Sequence, residues 1–136
     1  MHIDELTETF ELLTDWEDRY RLLIDLGRKL PPLPDSEKTE ENRVQGCTSM
    51  VWLVEEVEPT DPPRLHFRCD SDSFIVKGLL SIILMVYSGR TPREIIATDI
   101  DEIFSRLGLE QNLSPNRRNG FFATVERIKA LAAAHA

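Results

Sequence analysis

The chain has 136 residues, 16 Lys plus Arg against 24 Asp plus Glu, and two cysteines, Cys47 and Cys69. That length suits one domain, residues 1–136, able to bury a core without disulfide staples, and a net charge of −8 with no basic run tells against DNA, RNA and anionic membranes as partners. The start is acidic and the longest apolar stretch, Leu79 to Tyr87, is far too short to span a bilayer, so the expected setting is the cytoplasm, where thiols stay reduced.

Taken in chain order, Ile3, Leu6, Phe10 and Leu13 recur at helical intervals and predict a short amphipathic helix. A second helix opens at Thr14-Asp15, either of which can accept from free backbone N–H groups, and turns Trp16, Tyr20, Leu23 and Ile24 inward. Pro31, Pro32 and Pro34 end it, since proline lacks the donor and biases its predecessor away from helix. Asp35 to Arg43 is polar without period and reads as a solvated loop.

Met50 to Val57 is rich in β-branched and aromatic residues and predicts a strand. After a proline-rich turn, LHFRC alternates, with Leu65, Phe67 and Cys69 on one face and His66 and Arg68 on the other. The two strands predict a hairpin. Asp72 or Ser73 caps a helix from Phe74 to Tyr87 that is apolar nearly all round, apart from Lys77 and Ser81, and so belongs at the centre of the core. Thr91-Pro92-Arg93-Glu94 has the form of a capping box. A short helix follows over Asp101 to Leu107 with Gly108 as its left-handed stop, and Ser114-Pro115 opens the last helix, carrying Phe121, Phe122, Val125, Ile128 and Leu131. Helices, then two strands, then helices predict an α+β fold in which a small antiparallel sheet is packed against helices.

The common nucleotide-binding, zinc-protease and hydrolase motifs are absent. His2, His66 and His135 are scattered, and His66 reads as an exposed strand residue rather than a catalytic base. Asp70 and Asp72 lack the further oxygen ligands of a calcium loop and read as caps of the helix that follows them. No metal site and no cofactor are expected. Cys69 falls on the inward phase of its strand and is assigned to the core. Cys47 stands between a polar loop and a strand, where a reactive side chain can be presented on a rigid scaffold, and Gly46 before it permits a sharp turn or close approach. Taken alone, such a cysteine is more often a small buried hydrophobe. As a nucleophile it has two chemistries open to it. A cysteine hydrolase needs a base and an orienting group, for which only His66 is arguable, whereas a sulfur-transfer thiol needs neither.

The run ENRVQGCTSMVWL, Glu41 to Leu53, closely resembles the motif around the active cysteine of the SufE family. GRKLPPLP (27–34), DSDSFIVKGLLSIIL (70–84), YSGRTPREI (87–95) and LSPNRRNGF (113–121) resemble further blocks of that family in the same order. The resemblance implies the α+β fold shared with U-type cluster scaffolds. It implies that Cys47 accepts persulfide sulfur from a PLP-dependent cysteine desulfurase, SufS-like or CsdA-like, stimulates that enzyme and relays sulfur to an Fe–S scaffold complex, as an accessory protein rather than a stand-alone enzyme. The PLP belongs to the partner. Gly46, Asp70 and Arg117 match family positions and are expected to bind the partner or support the thiolate. Thr48 and Met50 depart from the residues often found after the cysteine, which bears on partner choice. The rival roles are a U-type cluster scaffold, which needs several thiolate ligands, and a non-catalytic desulfurase regulator; either a monomer or a homodimer fits.

Overall fold

The structure is a computed structural model that describes residues 2–46 and 49–136. Two N-terminal helices, α1 (Ile3–Leu12) and α2 (Trp16–Lys29), lead through a single 3-10 turn, Asp35–Glu37, to a hairpin of β1 (Val51–Glu58) and β2 (Arg64–Ser71). Five helices follow: α3 (Phe74–Tyr87), α4 (Pro92–Ala97), α5 (Asp101–Arg106), α6 (Leu109–Asn112) and α7 (Pro115–Ala133). This is the expected α+β architecture.

The local signals explain the boundaries. Asp15 caps α2 by accepting from the Glu17 N–H, and Ser73, rather than Asp72, caps α3 by accepting from the Val76 N–H. Thr91 and Glu94 form both bonds of the capping box on α4. Gly108 takes φ +70° where α5 stops. The single turn α6 was not expected; it is too short to show a period, and burial of Leu109 accounts for it.

In the hairpin the strands pair antiparallel with Val51 opposite Ser71, Leu53 opposite Cys69 and Val57 opposite Leu65. That register puts Val51, Leu53, Leu65, Phe67 and Cys69 on one face, all buried, and α3 packs on it. The central helix buries Ile75, Leu79, Leu80, Ile82, Ile83, Val86 and Tyr87, so it contacts the sheet, α2 and α7 from different sides, as its nearly uniform apolarity requires.

The approach of α2 to α3 depends on two glycines. A Cβ on Gly78 would lie 2.1 Å from the Leu23 carbonyl oxygen, and one on Gly27 would lie 2.2 Å from that of Phe74. Neither backbone oxygen can rotate away. Helix propensity alone makes Gly78→Ala stabilising by about 1 kcal/mol; the forced separation of the two helices makes it destabilising instead, by about 3 kcal/mol. Urea unfolding at pH 7 distinguishes the two signs.

The polar stretch expected as a solvated loop is mostly exposed, and two of its charged residues, Glu37 and Lys38, are tied to the outer face of the hairpin. Arg68 donates both terminal nitrogens to Glu37 at 2.7 and 2.6 Å and its Nε to Glu56 at 2.7 Å. Lys38 stands 5.5 Å from the centre of the Trp52 ring. Composition could not show these two ties, because Arg68 and Asp70 come later in the chain.

Candidate functional site

Residues 42–44 turn the polar stretch into an extra edge beside β1. Val44 N–H donates to the Val51 carbonyl and Leu53 N–H donates to the Asn42 carbonyl, both at 2.9 Å. Residues 45–50 are thereby closed into a loop whose stem, Val44 and Val51, is buried. Cys47 is in that loop and, with Thr48, lies outside the described residues. The flanking positions are defined. Gly46 has φ +88°, a conformation that side chains rarely adopt, and a Cβ there would meet Ala123 of α7 at 3.5 Å. On the other side Asp72 Oδ1 accepts from Met50 N–H at 3.2 Å, and Asp72 N–H donates to the Met50 carbonyl. Asp72 is thus a tie for the end of the loop, not the helix cap.

Behind the loop is a mainly apolar recess of about 30 Å³, reached by Ser49 and Val51 and walled by Val76, Leu79 and Leu80 of α3 and by Arg117, Gly120 and Phe121 of α7. The space is small, on the scale of a side-chain tip. Arg117 is its one charged wall residue among the described residues. Ser114 caps α7 by accepting from the Arg117 N–H at 3.3 Å, which sets Arg117 in the first turn. There the positive end of the helix dipole adds to the guanidinium charge. Arg117 Nη1 donates to the Tyr20 hydroxyl, and its guanidinium carbon stands 5.9 Å from the centre of that ring. No carboxylate among the described residues pairs with it. A cation so placed favours a thiolate or persulfide anion nearby.

Asp70 is elsewhere. It is opposite Trp52 on the outer face of the hairpin and only 1% exposed. The expectation that it caps α3 is corrected: its carboxylate accepts from Leu33 N–H at 3.0 Å and Ser71 N–H at 2.8 Å, and it pairs with Lys77 at 3.2 Å and Lys38 at 3.5 Å. Burial pushes its pKa up, but the two backbone donors and Lys77 more than offset this and hold it below the ordinary value of 3.8. It ties the segment after α2 to the hairpin and to α3. His66 is on the same outer face, 2.9 Å from Glu58, and does not line the recess.

Cys69 is sealed in the core, and burial foremost, with the Asp70 charge beside it, pushes its thiol far above the range in which it would ionise. Sequence reasoning passed over Tyr20 as a mere core residue and passed over Lys77 as an interruption of an apolar helix. A lone cation in such a helix signals a buried counter-charge, and Asp70 is that counter-charge.

The SufE profile, described as an Fe-S metabolism associated domain, matches residues 4–132. The chain belongs to the SufE family. Family membership associates it with Fe–S metabolism. It is 48% identical over 129 residues to an uncharacterized SufE-like protein of Rhizobium etli, covering 93% of this chain and 86% of that one. An uncharacterized SufE-like protein of Rhizobium meliloti is 43% identical over 129 residues, covering 94% and 92%. Among solved structures, the solution structure of a hypothetical protein from Thermus thermophilus superposes with a TM-score of 0.73 over 99% of this chain and 98% of that chain. At 22% identity it shows the fold of this SufE-family chain alone. No helix among the described residues is long and apolar enough to cross a membrane.

Proposed function

We propose that this SufE-family chain is a sulfur acceptor and carrier for Fe–S cluster assembly, with Cys47 as the acceptor. The donor is the persulfide of a PLP-dependent cysteine desulfurase, SufS-like or CsdA-like, which the chain also stimulates, and the recipient is an Fe–S scaffold complex. In the transfer, the Cys47 thiolate attacks the terminal sulfur of the donor persulfide. The donor's S–S bond breaks, a new S–S bond forms on Cys47, and the donor cysteine leaves as thiolate, so no external oxidant or reductant is needed.

The observation that carries this reading is the loop 45–50, closed by the Val44–Val51 pair and backed by a recess that combines apolar walls with the Arg117 cation. Apolar walls keep water and stray thiols from a persulfide, while a fixed cation lowers the cost of the anion formed at transfer. Gly46 lets the loop turn beside α7, and Asp70 acts at a distance, as a positioning residue for the surrounding segments. A cluster scaffold would call for several thiolates, and with Cys69 sealed in the core only one thiol of the two remains.

Incubating the chain with a SufS-like or CsdA-like desulfurase and free cysteine, then recording intact mass with and without reductant, tests the proposal. The expected result is a reducible gain of sulfur that maps to Cys47. Absence of any adduct after trials with both desulfurase types would overturn it.

A further inference from the structure

Tyr20 stands in α2, half-buried, with its ring packed against the core and 6.1 Å from the ring of Trp16. Its hydroxyl oxygen accepts from Nη1 of Arg117, 97 positions later in the chain, and the Arg117 guanidinium carbon lies 5.9 Å from the centre of the Tyr20 ring. One phenol therefore holds the guanidinium twice, through its oxygen and through its ring. Arg117 in turn lines the recess behind the loop of residues 45–50, where the other described lining residues carry no ionisable group. The sulfur-acceptor reading gives Tyr20 itself no task.

The chemistry of the holding group decides what that task is. An arginine in the first turn of a helix ordinarily keeps its rotamer freedom and extends its charge into water. Tyr20 removes that freedom, since it is carried by a different helix whose own place is fixed by packing on α3. A carboxylate at position 20 would hold the guanidinium at least as firmly. It would also cancel the positive charge and repel a thiolate or persulfide anion nearby. A neutral phenol holds the cation and leaves its charge in force.

We propose that Tyr20 is a positioning residue for sulfur transfer: it holds Arg117 at the recess as an uncompensated cation, and through Arg117 it favours the thiolate of Cys47. This rests on the sulfur-acceptor reading and adds the group that keeps the cation in place. Tyr20 acts only through Arg117, so the effects of changing the two residues are coupled and not additive.

The test alkylates the full chain with iodoacetamide over about pH 5 to 10, following the adduct on Cys47 by peptide mass, and separately measures sulfur gain from a desulfurase. Tyr20→Phe keeps the ring and removes the accepting oxygen. It is expected to raise the pH midpoint of Cys47 alkylation by about 0.5 unit. Because a more basic thiolate is also the better nucleophile, sulfur gain at saturating desulfurase and pH 7 should slow by only about 2-fold. Arg117→Ala is expected to raise the midpoint by about 1 unit, and adding Tyr20→Phe to it should move the midpoint no further. An unchanged midpoint in Tyr20→Phe would overturn the proposal. Equal shifts with and without Arg117 would overturn it too, since a role in packing alone predicts them. If the coupled shifts appear but the unaltered chain gains no sulfur from any desulfurase, the sulfur-acceptor reading fails while the placement of Arg117 by Tyr20 stands.

Discussion

The Cys47→Ser variant is expected to gain no sulfur from a charged desulfurase and to leave that enzyme at its basal rate. Serine keeps the size of the side chain but cannot form the S–S bond through which the transfer proceeds. The informative comparison is Cys69→Ala. Cys69 is buried in the sheet's inner face with its thiol held protonated, so it has neither the access nor the ionisation that attack requires. Its replacement should cost about 1–2 kcal/mol of stability through lost packing while leaving sulfur gain on Cys47 at the level of the unaltered chain. Intact mass and cysteine-desulfurase turnover, measured side by side on the two variants, check both statements. Sulfur uptake that survives in Cys47→Ser and disappears in Cys69→Ala would reverse the assignment of the two thiols.

Asp70→Asn is expected to be among the most destabilising single changes in the molecule, at about 3 kcal/mol, because it removes one partner of a buried ion pair. The carboxylate accepts from two backbone N–H groups and offsets two lysines, and an amide oxygen can serve only part of that set. Lys38 and Lys77 keep some access to water, which places the figure at the lower end of what such deletions cost. For a chain of this size the melting temperature should fall by about 10 °C.

The pH dependence has a definite sign. The folded-state pKa of Asp70 lies below its ordinary value of 3.8, so its ionised form stabilises the fold at every pH above that value. The contribution is then lost as pH falls through about 4 and on through the folded-state pKa. The gap in stability between the unaltered chain and Asp70→Asn should therefore be constant from pH 5 to 8 and narrow below pH 4. Urea titrations across that range provide the measurement. A gap that instead widens on acidification would mean that the carboxyl is protonated in the folded protein.

Much of the architecture is legible in the residues because each signal is local. The 3.6-residue recurrence in Ile3, Leu6 and Phe10, the Thr91–Glu94 capping box, the proline run after Lys29 and the alternation of Leu65, Phe67 and Cys69 each report a conformation from within a few positions. The burial of Cys69 follows from strand phase by the same logic. Cys47 was singled out by its setting between a polar loop and a strand, and by the resemblance of the surrounding block to one family.

The rest depends on pairs that are far apart in the chain. Asp70 and Asp72 look alike in the sequence, yet one is buried between Lys38, Lys77 and two backbone donors while the other ties down Met50 at the surface. Local pattern assigned both to the same cap because capping is the nearest use for a carboxylate before a helix. Arg117 meets Tyr20 across 97 positions, and Glu37 meets Arg68 across 31; no period within a segment can report such a meeting. By itself the sequence determined every helix but the single turn α6, the hairpin, the inward face of Cys69 and the family. Only the tertiary structure decided that a cation and an apolar recess stand behind the loop of residues 45–50. Hydrophobic periodicity says which face of an element leaves water, but the partner of a charge is set by how whole elements pack together.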